Sequence, residues 1–148
     1  MDYDIVVIGG GPAGLSFACS MSGLSLNVLL VEKSPLKSVS KPKPDGREIA
    51  LTHHSRKILI KLGVWALIDE AKISPLKEAK VFDGGSDSLL NFDAKKSAIE
   101  ALGYLVPNHL IRAALFERVS QAENVTILNE IIVDGVSTSN TVSYTHLR

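Results

Sequence analysis

The apolar positions of this chain change period several times, and each change marks an element. Residues 4–8 ("DIVVI") form a short, continuous, β-branched run that ends at Gly9, the pattern of a buried parallel strand. Beyond the glycines, Gly11, Gly14, Leu15, Ala18 and Ser22 recur at helical spacing, with Gly23 as the stop. "NVLLV" (27–31) is a second apolar strand, closed by Glu32, so the opening reads as a βαβ unit. From Leu51, the stripe Leu51, Ile58, Leu59 and Leu62 predicts a helix broken by Gly63, and 64–71 a shorter one carrying Trp65. "AKVFDGGSDSLLNFD" (79–93) alternates on both sides of Asp83-Gly84-Gly85 and predicts a hairpin. Asn108 then heads a helix whose buried stripe is Ile111, Ala114, Leu115 and Val119, and "NVTILNEIIVDGV" (124–136) supplies one or two strands. The sum is an α/β fold, Rossmann-like, with a parallel sheet and a small antiparallel excursion.

Composition narrows the choice of partners. A chain of 148 residues, 45% hydrophobic and 22% charged, can bury one core. Sixteen basic residues balance sixteen acidic ones, so no net field draws it to nucleic acid or an anionic surface. Cys19 is the single cysteine and forms no internal disulfide, which suits a reducing compartment. The apolar opening is neither a secretory signal nor a membrane span. Asp2 and Asp4 sit where a basic flank belongs, and three glycines and Pro12 interrupt the run. The segment 33–46 ("KSPLKSVSKPKPDG") reads as a polar loop with four solvated lysines.

The chemistry concentrates in Gly9-Gly10-Gly11-Pro12-Ala13-Gly14, which satisfies G-x-G-x-x-G. Alone the pattern is weak. Here it follows a predicted strand, opens a predicted helix, and precedes an acid, Glu32, at the end of the next strand. Gly9 permits the tight turn, Gly11 admits a pyrophosphate to the backbone, and Gly14 lets helix and sheet pack closely. Pro12 and Ala13 lie at the helix start, whose free N–H groups and positive dipole end attract phosphate. Glu32 suits a ribose 2′-OH and repels a 2′-phosphate, favouring FAD or NAD over NADP, and Lys33 follows it beside the site. The competing reading is a glycine turn with no ligand. The pattern does not separate FAD from NAD.

Three ordered blocks, "GGGPAG" (9–14), "DGREIALTHHSRKILIKLGVW" (45–65) and "LGYLVPNHLIRAAL" (102–115), resemble the flavin-dependent aromatic hydroxylases of ubiquinone biosynthesis. The UbiM type is nearest and the UbiH and UbiF types next, within the wider class typified by para-hydroxybenzoate hydroxylase. The resemblance implies FAD bound by the opening fold through Gly9, Gly11, Gly14 and Glu32. It implies that Arg47, in the D-x-R block, lies beside the pyrophosphate and ribityl chain, where its fork of donors suits oxygen acceptors. The alternative for Arg47 is a surface pair with Asp45 or Glu48. Asn108 is implied as a ribityl contact, or it caps its helix. Arg112 is a second phosphate or ribityl candidate, or an exposed helix residue. Ser55 fits the block without a derivable role. The reaction implied uses a flavin C4a-hydroperoxide, made from reduced flavin and O2, to hydroxylate the ring of a ubiquinone precursor. NAD(P)H is the implied transient electron donor, and a ubiquinone-biosynthesis complex at the inner-membrane surface the implied partner. No catalytic residue in this chain is demanded.

Other polar residues read blandly. His53 and His54 point about 100° apart on a helix and make a poor metal pair. Ser16 is not on a nucleophile elbow, Asn124-Val125-Thr126 is a glycosylation triplet without a secretory route, and Cys19 is a small core residue. The last residues, "VSYTHLR" (142–148), match a translated sequencing adapter, with Thr141 at the junction. The expectation is a natural sequence ending near Asn140. Residues 1–140 would be the front of an FAD-binding domain, 76–106 the start of a substrate-domain sheet, and 141–148 a scar. A later Gly-Asp block of the family is absent, so the chain alone is expected to bind FAD weakly or not at all and to hydroxylate nothing.

Overall fold

The computed structural model describes residues 2–82, 84–85, 89–138 and 143–147. Asp83 of the expected turn, and Asn140 and Thr141 at the expected junction, lie outside them. The elements in chain order are β1 (Ile5–Ile8), α1 (Pro12–Ser20), β2 (Val28–Glu32), α2 (Leu36–Ser40), β3 (Glu48–Leu51) and α3 (His53–Lys61). Two single 3-10 turns follow, Trp65–Leu67 and Glu70–Lys72. Then come β4 (Ser74–Leu76), β5 (Glu78–Phe82), β6 (Leu89–Asp93), β7 (Gly103–Pro107), α4 (Asn108–Ser120), β8 (Val125–Asn129), β9 (Val133–Thr138) and β10 (Ser143–Leu147).

The chain divides into two units, Met1–Lys43 with His109–Arg148, and Pro44–Asn108. The first is built on a parallel sheet in the order β1-β2-β8. Its middle strand is the core: Val28, Leu29, Leu30 and Val31 are all buried. Each such side chain contributes about 1.5–3 kcal/mol through removal from water. Leu15, Ala18 and Cys19 of α1 are buried at helical spacing, as are Ile111, Ala114, Leu115 and Val119 of α4, the stripe expected there. β1 departs from its sequence pattern. It is parallel as expected but only half-buried, with Val6 and Ile8 exposed, because β2 is its sole partner among the described residues. The turn from α1 to β2 is fastened by Asn124, whose Nδ2 donates to the carbonyls of Met21 and Leu26 while its Oδ1 accepts from Gly23 N–H. Asn124 is therefore a structural clamp, a role its glycosylation-like triplet did not suggest.

The polar loop expected over 33–46 contains α2, whose Val39 is fully buried. Two apolar residues, Leu36 and Val39, among lysines and prolines are too few to show a period, and only Val39 is buried, which is why the helix was not legible. β9 and β10 pair antiparallel, so the backbone of the suspected tail joins a ladder.

The second unit is antiparallel, with β3 and β4 flanking β7. Leu51, expected on a helix, ends β3 instead, and Thr52 caps α3 by accepting from Ser55 N–H. That gives Ser55 its place in the block. Ile58, expected in the buried stripe, is exposed while Leu59 is buried. The helix expected over 64–71 is the pair of 3-10 turns. The hairpin expected over 79–93 is present as β5 paired with β6. The antiparallel excursion thus extends beyond that hairpin to a three-stranded sheet. No described helix is long and apolar enough to cross a membrane.

Candidate dinucleotide site

The glycine turn leaves β1 at Gly9, whose φ of +105° is a conformation only glycine adopts without strain. Gly14 is required for a different reason: a Cβ there would run into the Gly9 carbonyl. Both are demands of the fold. Gly11 is not. Its φ is −79°, ordinary for any residue, and a Cβ built on it would meet nothing within 4 Å. Nothing in the chain itself explains the glycine, so the space it keeps clear is available to a ligand.

Gly11 is the N-cap of α1, with no side chain capping the helix and Pro12 at its start. The amides of Ala13 and Gly14 therefore have no intrahelical acceptor, and no acidic side chain occupies the first turn. Such an end presents donors and a partial positive charge to an anion.

Glu32 closes the turn from the end of β2. Its Oε2 accepts from Gly10 N–H at 2.6 Å and its Oε1 from Ser34 N–H at 2.8 Å. Burial alone would raise its pKa, but the Ser34 hydroxyl, those two amides and the nearby Arg112 charge outweigh burial and hold the carboxyl below its usual range. The group is a carboxylate already oriented, with lone pairs remaining for a sugar hydroxyl. The ladder continues past β8, where Ile131 N–H donates to the Glu32 carbonyl at 3.2 Å. A cleft of ≈ 210 Å³ results at the carboxyl ends of β1 and β2, with Gly9, Glu32 and Lys33 beside the apolar Ile8, Val31 and Ile132. Open α/β sheets take ligands at this edge. Of the expected residues, Gly9, Glu32 and Lys33 line this cleft, while Gly11, Pro12, Ala13 and Gly14 form the turn and the start of α1 and do not line it.

Arg112 does not line that cleft. It faces a separate one between α4 and the segment 34–43.

The remaining candidates, Arg47 and Asn108, meet within the second unit. Asp45 Oδ2 accepts from Arg47 Nη2 at 2.7 Å and Nε at 2.9 Å, and from Asn108 Nδ2 at 2.7 Å. Asn108 N–H donates to the Arg47 carbonyl at 2.9 Å, carrying the β3–β7 ladder one step further. Hydrogen bonds from Asn108 and Arg47 hold the Asp45 carboxyl well below the usual range. Arg47 thus makes the surface pair with Asp45, yet its side chain remains 67% exposed and retains free donors. Asn108, buried at 4% exposure, donates to Asp45 and so holds it in place.

A second cluster was missed. Arg56 lies over the rings of Tyr104 and Trp65, at 4.6 and 5.2 Å, and its Nη1 donates to the Tyr104 hydroxyl. His53 packs edge-on against Tyr104, and its Nε2 lies 2.8 Å from the Ala101 carbonyl. Forty-eight residues separate Arg56 from Tyr104, and His53 from Ala101, so no local spacing announces these bonds. Cys19 is buried beside the Leu115 carbonyl, and burial, only partly offset by Arg118, pushes its thiol up to about 11. It is a core residue, as expected.

Comparison with known proteins carries the resemblance further. A family model described as "Lycopene cyclase protein" matches residues 4–42, the stretch from β1 to α2. "Ubiquinone hydroxylase UbiM" of Neisseria meningitidis is 50% identical over 141 residues, covering 93% of this chain and 31% of that protein. "Ubiquinone biosynthesis monooxygenase COQ6, mitochondrial" of Dictyostelium discoideum is 26% identical with the same coverage, 93% and 31%. Among solved structures, the flavin-dependent monooxygenase PieE, in complex with FAD and substrate, superposes with a TM-score of 0.73 at 18% identity over 99% of this chain and 27% of that one. The chain spans about a third of the length of the curated relatives it matches. Over nearly all of its own length, it is similar in sequence to ubiquinone hydroxylases and has the fold of the FAD-dependent monooxygenases.

Proposed function

We propose that this chain is the FAD-binding segment of a flavin monooxygenase that hydroxylates the aromatic ring of a ubiquinone precursor. The observation that carries the FAD half is Gly11: a glycine without a reason in the fold, at a helix start with unpaired amides. The substrate half rests on the printed names of relatives. Bound FAD would supply the oxygen chemistry, using O2 and electrons delivered by NAD(P)H. The residues here have other tasks. The amides of Gly11, Ala13 and Gly14 hold the pyrophosphate, and Glu32 orients the adenosine ribose. Arg47, held by Asp45 while keeping free donors, takes phosphate or ribityl oxygens. Asn108 sets Asp45, and so Arg47, in place.

Residues 1–140 are assigned to the FAD-binding part, and 76–106, within the compact unit Pro44–Asn108, to the beginning of the sheet that meets substrate. Residues 141–148 are assigned to an adapter-derived tail. Lipid-soluble quinone precursors make a peripheral membrane site, within a biosynthetic complex, the fitting location.

Titrating the chain with FAD, followed by flavin fluorescence polarisation, tests the site. Weak, saturable binding is expected, and Gly11→Val should lower affinity by at least roughly tenfold while the protein stays folded, its thermal midpoint falling only by the cost of a poorer N-cap. Equal affinity in the variant would overturn the proposal. Arg47→Ala should weaken FAD more than ADP, whereas a non-catalytic NAD-binding module would lose neither. For the substrate half, the expected product of the complete enzyme is a quinone ring carrying label from dioxygen; label only in water would rule this out.

A further inference from the structure

The segment 34–43 and Arg112 enclose a second cleft, of ≈ 700 Å³, that shares no lining residue with the one at the strand ends. The chain passes from one to the other between Lys33 and Ser34. Lys37, Lys41, Lys43 and Arg112 line it with the hydroxyl-bearing Ser34 and Ser38, and no carboxylate is among them. None of the four cations takes part in the ion pairs between described residues. Arg112 Nε is buried and has no hydrogen-bond acceptor, one of two such donors among the described residues, the other being Arg56 Nε in the second unit. The cleft is a built feature of the fold. Val39 of α2 is fully buried, and Pro35 and Pro42 stiffen the segment at both ends.

In a protein of zero net charge, three lysines without an ion pair face one concavity beside Arg112, whose charge also bears on Glu32, and this local excess costs stability through mutual repulsion. A doubly charged oxyanion relieves that repulsion, and an arginine fork with lysines and hydroxyls is the donor set that phosphate takes. The cleft has the volume of a small-molecule site. We propose that it binds the phosphate group of a small anion, separate from the dinucleotide held by the glycine turn. Arg112 is its fixed donor, and Lys37 and Lys41 supply charge from α2 and its end. The lysines of this segment, which the sequence presents as solvated, therefore have a common target.

Calorimetric titration of the chain with inorganic phosphate and with ribose 5-phosphate, at ionic strength fixed by chloride, tests this. Saturable one-to-one binding below about 10 mM is expected. Tighter binding of the ester identifies an organic phosphate as ligand, and equal binding identifies free phosphate. The exposed pair Lys37→Gln with Lys41→Gln should weaken binding roughly tenfold, and Arg112→Gln should do the same. Gly11→Val should leave it unchanged, which separates this site from the FAD reading. No saturable heat, heat unaltered in the lysine variant, or loss of binding in Gly11→Val would each overturn the proposal.

Discussion

The two units hold polar groups in opposite ways. In the first, the candidate site is main chain: amides at the start of α1, a turn made possible by Gly9 and Gly14, and one carboxylate at a strand end. It stands on a strand, β2, buried from Val28 to Val31. In the second, the candidate site is side chain: Asp45 gathers Arg47 and Asn108, residues from opposite ends of the unit. Its hairpin shows Phe82 at 72% exposure and Leu90 at 57%. A site made of backbone tolerates few residue types and is brittle to an added methyl. A site made of side chains is adjustable, and damage to it stays local.

The largest effect that sharpens this contrast is expected from Gly14→Ala. The new Cβ meets a backbone carbonyl that cannot swing aside, so the first unit should lose about 3 kcal/mol or more, read by urea unfolding. A loss under about 1 kcal/mol would show that helix and turn can separate, and would weaken the claim of a rigid cradle. Asn108→Ala should cost less, loosening the Asp45–Arg47 pair while leaving the amide spectrum of Gly9 to Gly14 unmoved. Matching changes at the glycine amides would break the distinction between the two sites.

The smallest effect is titration of Glu32. Its carboxyl is held below the ordinary value, so its bonds to Gly10 and Ser34 are complete above the usual glutamate range. They weaken as pH falls through the lowered value. The Gly10 amide resonance should accordingly titrate with a midpoint below that of an unperturbed glutamate. A midpoint above that would mean that burial, not hydrogen bonding, dominates at this carboxylate.

The same contrast explains what the sequence disclosed. The glycine turn, Glu32 and the apolar runs of β2 and α4 were legible because backbone geometry restricts residue type at fixed spacing. β1 was legible as a strand but not in its burial, since exposure depends on which strands flank it. β3 was absorbed into a predicted helix because Leu51 falls by chance at helical distance from Ile58. The helix α2 escaped notice because its only anchor is Val39. Asp45 stood two residues from Arg47 and was named as a possible partner. That Asn108 shares it, 63 residues on, depends on the β3–β7 pairing and leaves no local trace.

The most direct measurement is an amide-resolved magnetic resonance titration of the labelled chain with FAD. Shifts concentrated at Gly10, Gly11, Ala13, Gly14 and Ser34, and absent in Gly11→Val, are expected. Saturating shifts that spare these amides, or none at all, would contradict the claim that the start of α1 grips the pyrophosphate.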